Sequence, residues 1–190
     1  TLSNIINLIR IRQWYKNLVV FLALFFSKNL FTQSDIITSI LAFFAVSFIS
    51  STNYIINDIY DVKDDKKHPE KSKRPLAAGK ISKSSAIFFG IIFFIASIAL
   101  SWYLGKEFLL IIIALFVLTQ CYTFFLKKTA IIDIISIATF FVLRAIAGAV
   151  SISVWISPWL ILCPFFLSLF LSSGKRHADM LLLKEKASST

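Results

Sequence analysis

The charged residues of this chain are confined to a few short stretches, and their spacing limits the folds open to it more than any other feature. Residues 36–57, 84–105, 108–126 and 145–174 carry no formal charge. An apolar helix needs about 20 residues to cross roughly 30 Å of hydrocarbon. The first three stretches each suffice for one crossing, and the fourth for one crossing plus the end of another. Residues 17–34, interrupted only by Lys28, make a shorter span. Phe, Ile and Leu dominate these runs. With 57% hydrophobic and 16% charged residues, the chain is no ordinary soluble domain. The expected fold class is all-α: a polytopic membrane protein forming one transmembrane domain over 1–190, with helices near 13–33, 36–62, 84–104, 108–127, 131–150 and 155–175.

Six crossings place the N-terminus and the segments after helices two, four and six on one side. That side holds 17 of the 20 Lys and Arg residues, including eight within 63–83. Such a bias marks it as cytoplasmic in a plasma (inner) membrane. Trp102, Tyr103, Trp155 and Trp159 then fall at the opposite interface. The net charge of +10 follows from this topology and from attraction to anionic lipid. Nucleic-acid binding does not suit basic residues divided among short loops. Cys121 and Cys163 lie in apolar runs without neighbouring metal ligands and read as packing residues. Thr at position 1, a single Met180 and the polar stretch from Lys184 to Thr190 lead us to expect a longer protein whose chain passes here into a loop.

The segment Asn57-Asp58-Ile59-Tyr60-Asp61-Val62-Lys63-Asp64-Asp65 continues the second span. On a helix, Asp58, Asp61 and Asp65 stand at i, i+3 and i+7 and share one face, with Asn57 at its border and Asn53 one turn earlier. Like charges so placed repel unless a cation lies among them. Mg²⁺ is a hard ion that takes oxygen ligands, commonly one or two carboxylates plus substrate phosphates. Carboxylates at the very end of an apolar run are costly and tend to be functional. A solvated acidic turn balanced by Lys63, Lys66 and Lys67 is the plainer alternative. His68, Pro69, Lys71, Lys73, Arg74, Pro75 and Gly79 follow. Arg beside metal-binding carboxylates suits phosphate oxygens, which it grips in bidentate fashion; His68 reads as a loop residue.

Asn57-Asp58-x-x-Asp61-x-x-x-Asp65, with His68-Pro69 and Arg74-Pro75, resembles the first aspartate-rich motif of the UbiA superfamily of intramembrane prenyltransferases. Arg12-Gln13-Trp14-Tyr15-Lys16-Asn17 is similar to the N-terminal signature of its decaprenyl-phosphate phosphoribosyltransferase branch. Tyr122, Leu126-Lys127, Asp133, Leu143-Arg144-Ala145 and Gly148 resemble that branch's second motif, and Gly174 to Asp179 its third loop. The resemblance implies nine helices around a central cavity open to the cytoplasm, about six of them here, with motif loops near 58–83, 127–133 and 175–190. Where many members carry a second aspartate pair, Asp133 stands alone, which favours the phosphoribosyl branch.

The implied function is a Mg²⁺-dependent transferase that moves a 5-phosphoribosyl group from phosphoribosyl diphosphate to a polyprenyl (decaprenyl-type) phosphate. The alternatives are a prenyltransferase acting from a polyprenyl diphosphate on an aromatic acceptor, and a non-catalytic transporter or scaffold. Both enzymatic reactions break a C–O bond to a diphosphate and build positive charge on carbon, so a metal and basic groups serve either. On this reading Asp58, Asp61 and Asp65 bind Mg²⁺, and Asn57 orients them. Lys127 and Arg74 hold donor phosphates, while Arg12 and Lys16 meet the acceptor phosphate. Asp58, Asp61, Lys127 and Asp133 are the catalytic candidates. Tyr122 either steadies a phosphate or is an interface aromatic. Asp133 and Arg144, eleven residues apart, share a helix face and form either an ion pair or ligand contacts. Lys175, Arg176 and Asp179 either complete the site or mark the interface. Ala145, Gly148 and Ala149 are helix-packing positions.

Overall fold

The computed structural model describes residues 2–27 and 30–188, apart from the side chains of Lys128, Ala130 and 179–188. Lys28 and the side chain of Asp179, both invoked above, lie outside the described residues. Helices α1 (Leu2–Leu8), α2 (Leu22–Phe26), α3 (Gln33–Tyr60), α4 (Val62–Asp65), α5 (Lys83–Leu104), α6 (Lys106–Phe124), α7 (Ala130–Ser151) and α8 (Pro158–Ser188) account for most of the chain. Five of them, α3 and α5 to α8, are long and apolar enough to cross a membrane.

Two expectations need correction. The first span is not one α-helix over 13–33: a 3-10 helix runs from Ile11 to Phe21 and α2 adds one turn. A 3-10 segment rises about 2.0 Å per residue against 1.5 Å in an α-helix, so these few residues still reach roughly 30 Å. The sixth helix does not stop near 175, because α8 continues to Ser188 and residues 175–188 are helical. Inside α8, Pro164 removes the hydrogen bond its N–H would give to the Leu160 carbonyl.

Helix α3 is the central post. Its Ala42, Ala45, Val46 and Ile49 are fully buried against Val20, Phe108, Ile112 and Leu115. Polar side chains of α3 and of the segments around it bond across helices, as expected where lipid gives no hydrophobic drive between spans. Ser97 Oγ donates to the Ala45 carbonyl at 2.8 Å, Asn17 Nδ2 to Ser47 Oγ at 3.0 Å and Trp14 Nε1 to Ser51 Oγ at 3.0 Å. The 3-10 segment also lies directly on α7. A Cβ added at Gly148 would stand 1.9 Å from the Val20 carbonyl oxygen, so only glycine permits this approach. The neighbouring Ala145 and Ala149 are fully buried, in keeping with the packing role expected of all three.

At one end of the bundle, Trp102, Tyr103, Trp155 and Trp159 are exposed, near the α5–α6 turn at Gly105 and the start of α8. Cys163 is exposed and Cys121 half-buried. The opposite end collects the charges.

Candidate functional site

The carboxylates at the end of α3 divide between two neighbours. Ser47, Ser51, Tyr54 and Asp58 form one stripe, at i, i+4, i+7 and i+11, facing the N-terminal segment. Asn53, Asn57 and Asp61 form a second stripe, turned toward α6 and the α6–α7 connection. The helix ends at Tyr60. Asp61, at φ −87° and ψ 3°, separates it from α4. The three aspartates therefore do not share one unbroken helical face.

Asp58 is buried and held by two guanidiniums. Arg10 Nη2 donates to its Oδ1, as does Arg74 Nη1 at 3.1 Å. Arg74 Nη1 also donates to Asp65 Oδ2 at 2.7 Å, so one arginine ties α4 back to the end of α3. The segment behind Arg74 is anchored by the buried Leu76, which packs with Leu8, Ile55 and Ala86. Gly79 adopts φ +70° where the chain turns toward α5, a conformation that costs glycine little. Arg10 itself has φ 53° and ψ 47°, left-handed geometry that is uncommon outside glycine and concentrates at functional sites. That bend, with the Tyr54 ring 4.6 Å beneath the guanidinium, brings Arg10 to Asp58.

Asp61 looks the other way. Lys127 Nζ donates to its two oxygens at 2.6 and 2.7 Å, across 66 residues of sequence, and lies 5.2 Å from the Tyr60 ring centre. Asp61 and Lys127 open on a cleft of about 340 Å³ lined also by Asp64, Asp65, His68 and Lys71. Deeper in the bundle, Gln120 Nε2 donates to Asn53 Oδ1 at 2.6 Å.

Asp133 and Arg144 share a helix but not a bond. Tyr122 Oη donates to Asp133 Oδ1 at 2.6 Å, and Arg176 Nη1 to Oδ2 at 3.0 Å. Arg144 Nε donates to Asn17 Oδ1 at 2.8 Å. Lys16 stands within electrostatic reach of Arg10, Arg144 and Lys175, a positive group formed by three different segments. Arg12 is exposed at the rim and Asn57 half-buried beside the acidic cluster.

Sequence reading overlooked Arg10, Tyr54, Asn17 and Gln120. Arg10 was legible only as one more positive charge; Asn17 stood in a quoted motif without a role.

Among the described residues, no three Asp, Glu, His or Cys side chains converge as an all-protein metal cage. The donor set does suit Mg²⁺ shared with a substrate. Such an ion takes one or two carboxylates and completes its shell with phosphates and water, and Asp61, Asp64 and Asp65 line the cleft. The ammonium of Lys127 already holds a cation's place against Asp61.

A model of the UbiA prenyltransferase family matches residues 17–179. The decaprenyl-phosphate phosphoribosyltransferase of Mycolicibacterium smegmatis is 37% identical over 185 residues, 95% of this chain and 58% of that protein. This chain thus spans under two thirds of that curated relative. A solved structure of digeranylgeranylglyceryl phosphate synthase superposes with a TM-score of 0.73 at 26% identity, over 97% of this chain and 65% of that one. A UbiA homologue from Archaeoglobus fulgidus, bound to GPP and Mg²⁺, gives 0.70 at 23% identity, over 87% of this chain and 60% of its own.

Proposed function

The chain belongs to the UbiA prenyltransferase family, and from that premise we propose that the protein transfers a 5-phosphoribosyl group from phosphoribosyl diphosphate to a polyprenyl phosphate of the decaprenyl type, releasing diphosphate. The observation that carries this reading is the cleft at Asp61 and Lys127, where acidic and basic groups from α3, α4 and the α6–α7 connection meet at one membrane face. The relative from M. smegmatis carries the name of that activity. We take the charged face as cytoplasmic in the plasma membrane, because it holds the bulk of the Lys and Arg residues.

Asp61, with Asp64 or Asp65, would hold Mg²⁺ together with donor phosphates; the bound ion would offset the charge of the departing diphosphate. The Archaeoglobus homologue is bound to GPP and Mg²⁺. Asp58 has a different role from the one expected of it. Buried between Arg10 and Arg74, it fixes the two guanidiniums and the end of α3. Lys127 turns from Asp61 to donor phosphate oxygens, positioned before substrate arrives. Lys16, Arg144 and Lys175 supply positive charge for a second phosphate, that of the acceptor. Asp133, with one oxygen on Tyr122 and the other on Arg176, ties α6, α7 and α8 together. It stands alone where many members of the family carry a second aspartate pair, which favours the phosphoribosyl donor over a prenyl diphosphate. The likeness to digeranylgeranylglyceryl phosphate synthase keeps prenyl transfer as the second reading.

Calorimetry with Mg²⁺ separates the two. Phosphoribosyl diphosphate should bind more tightly than a short prenyl diphosphate, and Lys127→Ala should weaken it by roughly 1.5–3 kcal/mol, the worth of a hydrogen bond to a charged group. A wild-type protein that ignores phosphoribosyl diphosphate and ionises the prenyl diphosphate refutes the donor assignment. Normal donor binding by Lys127→Ala refutes the role of that lysine.

A further inference from the structure

A second cleft, of about 510 Å³, lies outside the site just described. It is lined by Ile56, Ile59, Tyr60, Val62, Lys63, Lys83 and Phe124, from the charged ends of α3, α5 and α6. Its floor is apolar, and the Phe124 ring stands edge-on to Tyr60 at 5.0 Å between centroids. Its rim carries two exposed lysines. Their position is the telling feature. Tyr60 is the last residue of one membrane-length helix and Lys83 the first of another, so the cleft sits where acyl chains give way to headgroups. Helix α8 packs against α7, and none of its described side chains lines the cleft.

We propose that this cleft binds one anionic phospholipid of the bilayer, with its phosphate between Lys63 and Lys83 and its chain along Ile56, Ile59, Val62 and Phe124. A zwitterionic lipid would fill the floor equally well but would leave the two ammonium groups partly uncompensated. A soluble phosphate would satisfy the lysines and leave the floor empty. The combination of floor and rim selects an amphiphile with net negative charge. The site adjoins the cleft at Asp61 through Tyr60, whose ring forms one wall here and also lies near Lys127.

The test is native mass spectrometry of the purified protein, titrated with phosphatidylglycerol or phosphatidylcholine. Wild type should retain one phosphatidylglycerol with clear preference over phosphatidylcholine. Lys63→Gln/Lys83→Gln should weaken that binding about thirtyfold, roughly fivefold per lysine. Ile59→Trp, which fills the floor and leaves both charges, should also lower occupancy. Lys66→Gln/Lys67→Gln removes the same charge from exposed positions nearby and should change binding no more than a fewfold. Equal loss in the two double variants would reduce the effect to surface potential and overturn the site. So would unchanged affinity in Lys63→Gln/Lys83→Gln, displacement of the lipid by inorganic phosphate, or a preference for polyprenyl phosphate over phosphatidylglycerol at this cleft.

Discussion

Replacing Gly148 with alanine tests the link between packing and site most directly. The added Cβ would stand 1.9 Å from the Val20 carbonyl oxygen and 2.8 Å from its carbonyl carbon. Both are backbone atoms, so no rotamer change relieves the overlap. A carbon–oxygen contact settles near 3.3 Å at closest, so the 3-10 segment and α7 must part by about 1.4 Å. Asn17 lies one turn before Val20, and Arg144 one turn before Gly148. Their 2.8 Å hydrogen bond would open beyond bonding distance, and the bond from Asn17 to Ser47 would be strained with it. Overpacking costs about 1–3 kcal/mol, and an interhelical hydrogen bond in a membrane contributes about 0.6–1.7 kcal/mol. Gly148→Ala should therefore destabilise by roughly 2–4 kcal/mol, read as a lowered midpoint in reversible unfolding from mixed micelles. Gly90→Ala is the control, since its Cβ would meet the Ile55 side chain, with Cγ2 at 3.4 Å and Cβ at 4.0 Å, ordinary contacts. If Gly148→Ala unfolds with wild type, or Gly90→Ala costs as much, the close approach of the two backbones does not hold the site together.

Three further outcomes follow from the geometry. Asp61→Asn should abolish transferase activity while membrane insertion is unchanged; full turnover by a well-inserted Asp58→Asn/Asp61→Asn variant would refute the carboxylate site. Arg10→Ala should cost about 1.5–3 kcal/mol by leaving the buried Asp58 with Arg74 alone, and Asp58→Asn in the same chain should restore much of it. Lack of rescue in a denaturation series would show that Arg10 acts elsewhere. With the charged face cytoplasmic, a cysteine at Ser72 should resist impermeant thiol reagents added to intact cells, whereas one at Glu107, beyond the turn at Gly105, should react; the reverse pattern would invert the topology.

The five membrane-length helices were legible because hydrocarbon leaves a chain little choice: a crossing helix must bond its own backbone and present an almost unbroken apolar run. The first segment was harder to read. Its apolar run, 17–34, is short and interrupted by Lys28, and its 3-10 segment packs closely on α7, a contact the run itself does not encode. The end of α8 was missed for the opposite reason. Lys184 to Thr190 look like a loop by polarity, yet a helix that has left the membrane has no need to remain apolar.

The acidic cluster shows most clearly where spacing stops informing. Asp58, Asp61 and Asp65 were found together and assigned one task, because i, i+3 and i+7 is all that a sequence displays. In the structure Asp58 is sealed between two arginines, while Asp61 faces an open cleft with Lys127. Asp61 lies just past the end of α3 and faces away from Asp58, and that offset decides this, along with what stands opposite each. Arg10 stands opposite Asp58 because residue 10 turns left-handed. Lys127 stands opposite Asp61 because the short 3-10 turn between α6 and α7 carries it there. Both placements depend on how closely the spans pack, and that distance is set at small residues such as Gly148, Ala145, Ser47 and Ser97, far from any charged motif. A carboxylate motif therefore identifies where chemistry is done, whereas the packing residues decide which carboxylate is free to do it.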